Sequence, residues 1–168
     1  MLGSTTLAAV TLFGSRLTWL MAGDTLLFVF RYEVELGAFV LKLRPPALMM
    51  QCRDSDGNDC VGPVQLSCYQ RNNDINADAM LQASQCAYST LDANAGDVVI
   101  LMSDGPGDCL GTGEILAMLT AAHNAGHEPS QLAETIVAAA IDSGKKVDDM
   151  SCVVGYVQEV THKRQRCD

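Results

Sequence analysis

The most informative segment of the sequence is Gly96-Asp97-Val98-Val99-Ile100-Leu101-Met102-Ser103-Asp104-Gly105-Pro106-Gly107-Asp108. Its aliphatic run, Val98 to Met102, predicts a buried strand. Ser103-Asp104-Gly105 follows at once, so the strand holds Asp104 at a rigid end while the glycine lets the backbone turn. Asp108 comes four residues later, in what we predict to be a short turn. The two carboxylates can therefore point toward the same place.

Two carboxylates at a strand end can bind a hard divalent cation, since Mg²⁺ and Mn²⁺ prefer oxygen ligands. Taken alone, Asp104 and Asp108 are equally well explained as turn and helix-cap residues. A second acidic pair, Asp148-Asp149, precedes the last apolar run. The mutual repulsion of this pair is costly unless solvent or a cation compensates for it, although an exposed turn is the simpler explanation. Asp24, after Gly23, is predicted at the tip of the first hairpin.

Short apolar runs joined by glycine turns precede this strand, and two helical patterns follow it. We predict an antiparallel meander with strands over 6–12, 17–21, 26–31, 38–43, 85–91 and 98–102. The polar stretch 51–76 is predicted to be a long loop with a brief strand near 63–67. One helix is predicted from Thr112, which can cap it, to Gly126, and a second from Pro129 to Gly144. A final strand over 150–157 completes an α+β pattern.

The composition limits the partners. The net charge is −9, which opposes binding to nucleic acid or to anionic membranes, because phosphate binding needs clustered basic residues. The basic cluster His162-Lys163-Arg164-Arg166 is predicted to be a solvated tail over 159–168, after a single domain over 1–158. No apolar run is long enough to span a bilayer.

The seven cysteines suggest a reducing compartment. Their number is odd and none forms a C-x-x-C pair, so we predict buried or free thiols and no disulfide framework. Neither Ser4 nor Ser103 has a recognisable His/Asp relay, which argues against catalysis by a nucleophilic serine.

Taken together, four segments resemble the PPM (type 2C) family of metal-dependent serine/threonine protein phosphatases in content and order. They are Gly3-Ser4-Thr5, Ala22-Gly23-Asp24-Thr25, the stretch 96–108 and Asp148-Asp149-Met150-Ser151. The resemblance is strongest to the T-cell-activation phosphatase-like subgroup. It implies an antiparallel β-sandwich with flanking helices and a metal cleft at one end, here without the N-terminal part of the family domain.

The resemblance also implies the roles of the acidic residues. Asp104 and Asp148 would bind one of two core Mn²⁺ or Mg²⁺ ions, and Asp24 and Asp108 would help hold a weaker third ion that shares Asp104. Three further residues, Asp149, Gly105 and Ser103, would adjoin these ligands. In this family the ions polarise the phosphoryl oxygens and activate a bridging water, which attacks phosphorus without a covalent enzyme intermediate.

Two hypotheses follow from what the sequence lacks. Upstream of the Gly-Ser-Thr strand the family carries an acidic ligand, a phosphate-binding arginine and an Asp-Gly turn, and this sequence contains none of them. Either the sequence is an incomplete record of an enzyme that dephosphorylates phosphoserine and phosphothreonine in proteins, or the chain is an inactive relative that serves as a scaffold or subunit. The expected partner is accordingly a phosphoprotein substrate or a larger protein complex. The subgroup resemblance and the cysteines predict a mitochondrial or cytoplasmic location.

Overall fold

The computed structural model describes residues 3–53, 56–64, 66–68, 70–71, 74–75 and 86–159. The predicted basic tail lies outside the described residues, except for its first residue, Glu159. Gln85, the first residue of one predicted strand, also lies outside them. No helix in the described segments combines the length and the apolar character needed to cross a membrane.

The described residues form thirteen strands and three helices. The strands are β1 (Gly3–Thr5), β2 (Leu7–Phe13), β3 (Arg16–Ala22), β4 (Leu26–Glu33), β5 (Ala38–Leu43), β6 (Met49–Arg53), β7 (Asp59–Pro63), β8 (Leu66–Cys68), β9 (Gln70–Arg71), β10 (Asp74–Ile75), β11 (Ala87–Asp92), β12 (Val98–Met102) and β13 (Cys152–Tyr156). The helices are α1 (Asp104–Cys109), α2 (Thr112–Ala125) and α3 (Pro129–Asp142).

Two antiparallel sheets pack into a sandwich. One has the strand order β11-β3-β2 and the other β13-β12-β4-β5. Residues from both sheets, among them Leu17, Trp19 and Val29, form one apolar cluster. The helices α2 and α3 cover the other face of the four-stranded sheet, where their side chains pack against Phe28 and Ile100. The predicted α+β sandwich with flanking helices is confirmed.

Strand β4 lies in the interior of the four-stranded sheet, and its sequence is apolar from Leu26 to Phe30. Its neighbours are β12 and β5. Leu27 and Val29 point toward the three-stranded sheet, whereas Phe28 and Phe30 point toward the helices, and all four are at most 1% exposed. A strand that is buried on both faces needs apolar residues at every position.

The predicted meander is wrong at one point. β3 pairs with β2 and β11, while β4 pairs with β5 and β12, so the chain changes sheets between them. Gly23 and Asp24 lie in this crossover and not at the tip of a hairpin. Short apolar runs do not reveal which sheet each strand joins, because pairing is decided by packing across the sandwich.

The predicted loop over 51–76 is also wrong in large part. β6 and β7 form a two-stranded hairpin whose turn contains Asp56-Gly57, with Gly57 at a φ of +86°. Glycine adopts the positive φ that this loop requires, and backbone pairing across a hairpin does not require apolar side chains. Farther along, β8 pairs with β1, and β9 pairs with β10.

The two long helices match their predicted spans. Gly126 ends α2 in the left-handed conformation, with a φ of +67°, and Pro129 opens α3. The predicted cap of α2 is wrong, because Thr112 is the first helical residue and Gly111 precedes it as the cap. Glu114 Oε2 accepts a 2.7 Å hydrogen bond from the N–H of this cap residue, Gly111.

Candidate active site

The site begins where β12 ends. The segment after Ser103 is the six-residue helix α1 and not the predicted short turn. Pro106 is tolerated in it because the first N–H groups of a helix have no partner within the helix. Asp104 and Asp108 are four residues apart in α1, so their side chains lie on the same helical face.

Ser103 joins the end of β12 to the segment that precedes β13. Its hydroxyl donates a 3.2 Å hydrogen bond to the carbonyl of Asp149 and accepts one of 3.1 Å from the Ser151 N–H. The Ser103 N–H also donates to the Ser151 carbonyl at 3.1 Å. These bonds hold the acidic segment 148–149 beside the N-terminal end of α1.

Lys146 lies at the centre of the acidic residues. Its Nζ contacts Asp104 Oδ2 at 2.7 Å, Asp108 Oδ2 at 2.8 Å and Asp148 Oδ2 at 2.8 Å. Hydrogen bonding to these carboxylates, first of all to Asp104, raises the pKa of Lys146 well above its ordinary value. Hydrogen bonds from Lys146 and from the Asp149 N–H lower the pKa of Asp148. We call Lys146, Asp104, Asp108 and Asp148 the acidic cluster.

Asp24 approaches the acidic cluster from the crossover between the two sheets. Partial burial raises the pKa of Asp24, and the charges of Asp104 and Asp108 raise it further, while its own backbone N–H and Lys146 lower it. The structure therefore brings Asp104, Asp108 and Asp148 onto one cation and leaves Asp24 within electrostatic range of them. Asp149 contributes its backbone N–H and carbonyl.

The donor chemistry of the cluster suits Mn²⁺ or Mg²⁺, because three carboxylates from two chain segments converge on one positive charge. The ammonium of Lys146 is the positive charge on which they converge. In the described segments, no group of three or more Asp, Glu, His or Cys side chains could hold a metal ion as they are arranged. The predicted ligands therefore match the ion in chemistry, and Lys146 occupies the point on which they converge.

The role of Lys146 was not predicted from the sequence. The signal was present, since Lys145-Lys146 lies just before Asp148 and opposite charges at close quarters attract. Lys145 points elsewhere, with its Nζ 2.7 Å from the Cys109 carbonyl at the end of α1. Lys146 thus contacts the first residue of α1, Asp104, and Lys145 contacts the last, Cys109.

Gly105 allows α1 to approach the acidic segment. A Cβ atom at this position would lie 2.8 Å from the backbone oxygen of Asp149, which is closer than real Cβ contacts. We expect Gly105→Ala to lower the free energy of unfolding by about 1–3 kcal/mol, because backbone atoms must move apart. Gly113 in α2 is the control, since a Cβ there meets nothing within 4 Å. Gly113→Ala should be neutral or stabilising by up to about 1 kcal/mol.

Urea titration followed by the fluorescence of Trp19, the only tryptophan, measures both variants. Equal stability of Gly105→Ala and the wild type would show that the close approach does not limit packing.

Comparison with solved structures relates this fold to phosphatases. The chain is similar to the photosystem II phosphatase PBCP, with a TM-score of 0.64, 17% identity and coverage of 93% of this chain and 65% of that one. It is also similar to the Mycobacterium tuberculosis serine/threonine phosphatase PstP/Ppp, with a TM-score of 0.58, 17% identity and coverage of 92% and 60%. A structure of the catalytic domain of PstP in complex with two manganese ions matches with a TM-score of 0.55, 20% identity and coverage of 93% and 60%.

At these identities the similarity establishes the fold alone. This chain spans 60% to 65% of the length of those three structures. No family model matches the chain, and no curated protein matches it.

Proposed function

We propose that this chain is a PPM-type phosphatase domain of the T-cell-activation phosphatase-like kind, which hydrolyses phosphoserine and phosphothreonine in proteins with the help of Mn²⁺ or Mg²⁺. The observation that carries the proposal is the convergence of Asp104, Asp108 and Asp148 on one positive charge. The fold adds support, since solved serine/threonine phosphatases share it.

The acidic residues would bind the metal ions, and Ser103 would keep their segments together. When bound, the ion polarises the phosphoryl oxygens and lowers the pKa of the attacking water. Asp104 and Asp148 would hold a core ion, while Asp108 and Asp24 would help hold a weaker third ion that shares Asp104. Ser103 keeps the two ligand-bearing segments together through its bonds to residues 149 and 151. A rigid ligand frame of this kind lowers the reorganisation that catalysis requires.

A second candidate function is favoured by Lys146. Its ammonium contacts all three carboxylates, and a lysine charge in this position can balance them in place of an ion. A chain of this kind would be an inactive phosphatase-like protein that serves as a scaffold or subunit of a larger complex.

We also propose a reducing compartment, mitochondrial or cytoplasmic. Cys86, Cys109 and Cys152 are free thiols. Burial raises the pKa of Cys152 to about 12, so this thiol stays protonated and inert at neutral pH.

The test is hydrolysis of a phosphothreonine peptide by the full chain with Mn²⁺, with Mg²⁺ and with a chelator. We expect activity with either ion, none with the chelator, and a loss of at least about 100-fold in kcat/KM for Asp104→Asn, because the ion contributes several kcal/mol to transition-state stabilisation. Asp142→Asn is the matched control, since Asp142 is exposed at the end of α3 and the variant should keep wild-type activity.

The two candidate functions give different results in this assay. A folded wild-type chain that shows no ion-dependent hydrolysis supports the inactive scaffold. Hydrolysis that is unchanged in Asp104→Asn contradicts the proposed site, whatever the activity of the wild type.

A further inference from the structure

The ammonium of Lys146 lies where a divalent cation would have to bind. Three carboxylate oxygens surround it at 2.7–2.8 Å, and Asp24 adds a fourth negative charge within electrostatic range. One lysine charge faces three contacting carboxylates, so the cluster keeps an excess of negative charge and still attracts cations.

The lysine and an ion cannot occupy this point together. Mg²⁺ binds carboxylate oxygens at roughly 2.0–2.1 Å, whereas the ammonium holds the same oxygens at 2.7–2.8 Å. The carboxylates must therefore close in when an ion binds, and the positively charged Nζ must leave.

Lys146 is able to leave. Its side chain is 31% exposed on a loop outside the helices and strands, and a lysine carries its charge on a flexible four-carbon stem. The backbone of Asp104 is fixed differently, because this residue opens α1 with one residue between it and the end of β12. Its carboxylate can therefore close on an ion by a small side-chain movement, while the longer side chain of Lys146 moves away.

We propose that Lys146 is a tethered competitor for the divalent cation, which occupies the acidic cluster in the metal-free protein and weakens metal binding. The inference rests on the proposed function, because it concerns the same site. It makes the chain an enzyme whose ion must displace an internal charge before the site is complete. The apparent dissociation constant for the ion equals the intrinsic constant divided by the fraction of time that Lys146 leaves the site free.

The test measures Mn²⁺ binding directly, without reference to activity, by electron paramagnetic resonance of free Mn²⁺ in the presence of the full chain. We expect Lys146→Met to bind Mn²⁺ roughly 10-fold more tightly than the wild type, since three exposed ion pairs are removed, each worth a fraction of that factor. Lys146→Arg keeps the positive charge and should stay close to the wild type.

Lys145→Met is the matched control. It removes the same charge one residue away, but Lys145 contacts the Cys109 carbonyl and no member of the acidic cluster. Its Mn²⁺ affinity should change by less than about threefold, because two exposed charges interact weakly across solvent. Circular dichroism checks that each variant is folded.

The Mn²⁺ affinities of these variants test the competitor role of Lys146 separately from the proposed metal site. If the wild type binds Mn²⁺ and Lys146→Met binds it no more tightly than Lys145→Met, the competitor is refuted and the proposed function stands. Binding by Lys146→Met alone supports the competitor. If no folded variant binds Mn²⁺, both the metal site and the competitor are refuted.

Discussion

Replacing Arg31 with methionine should lower the free energy of unfolding by about 3–5 kcal/mol, because it strands a buried carboxylate without its charge partner. Asp97 is 0% exposed. The Arg31 Nε donates to Asp97 Oδ1 and an Nη donates to Asp97 Oδ2, both at 2.8 Å. This two-point geometry is the strong form of an arginine–carboxylate pair.

The pair also connects three segments of the fold. Arg31 lies in β4, and its Nη2 donates at 2.9 Å to the carbonyl of Asp92 at the end of β11. Asp97 Oδ2 accepts a 2.8 Å hydrogen bond from the Asn94 N–H in the turn before β12. The loss of Arg31 therefore loosens the junction of the two sheets as well as leaving a buried charge.

Urea unfolding followed by Trp19 fluorescence at neutral pH measures this effect. Arg16→Met is the control, since Arg16 is exposed and should change stability by less than about 0.5 kcal/mol. Arg31→Lys should fall between the two, because lysine keeps the charge but lacks the planar fork. The double variant Arg31→Met/Asp97→Asn removes the stranded charge and should recover part of the loss. A loss below about 1 kcal/mol in Arg31→Met would contradict the role given to the pair.

The buried pair of Arg31 and Asp97 could not be predicted from the sequence. The segment Gly96-Asp97 reads as a turn, and nothing in the sequence states that a residue 66 positions away supplies a partner for Asp97. Long-range pairs of polar residues have no periodic signature. In α2 and α3, by contrast, apolar residues repeat at the helical spacing, and the spans of both helices were predicted.

The acidic site could likewise be predicted only in part. The strand–Ser103–Asp104 junction could be predicted, because an aliphatic run that ends in a turn signal is a local feature. Helix α1 could not, because two glycines and a proline among its six residues disfavour a helix by propensity. Burial outweighs propensity here, since Gly105, Pro106 and Cys109 are buried and Lys145 Nζ contacts the Cys109 carbonyl. The metal role of the cluster remains a prediction from resemblance and donor chemistry.

Gly23→Ala should destabilise the fold by about 2–5 kcal/mol through two separate effects. The φ of Gly23 is +92°, which an L-residue with a side chain adopts at a cost of about 1–3 kcal/mol. A Cβ would also collide with the Cγ2 of Thr6 and approach the Val64 carbonyl oxygen to 2.8 Å. Overpacking of this kind typically adds about 1–3 kcal/mol.

The neighbours of Gly23 leave little room for relaxation. Its carbonyl accepts a 2.8 Å hydrogen bond from the Leu48 N–H, and the Leu48 carbonyl accepts another from the Val64 N–H. A shift of the crossover that relieved the collision would break this chain of bonds. It would also move Asp24, the next residue, away from the acidic cluster.

Gly14→Ala separates the two effects, since Gly14 has a φ of +60° and a Cβ there meets nothing within 4 Å. We expect this control to lose only the conformational part, about 1–2 kcal/mol. The difference between the two variants in urea unfolding then measures mainly the collision. Equal losses would mean that the crossover is free to move, and Asp24 would then be held near the cluster by something other than the packing of Gly23.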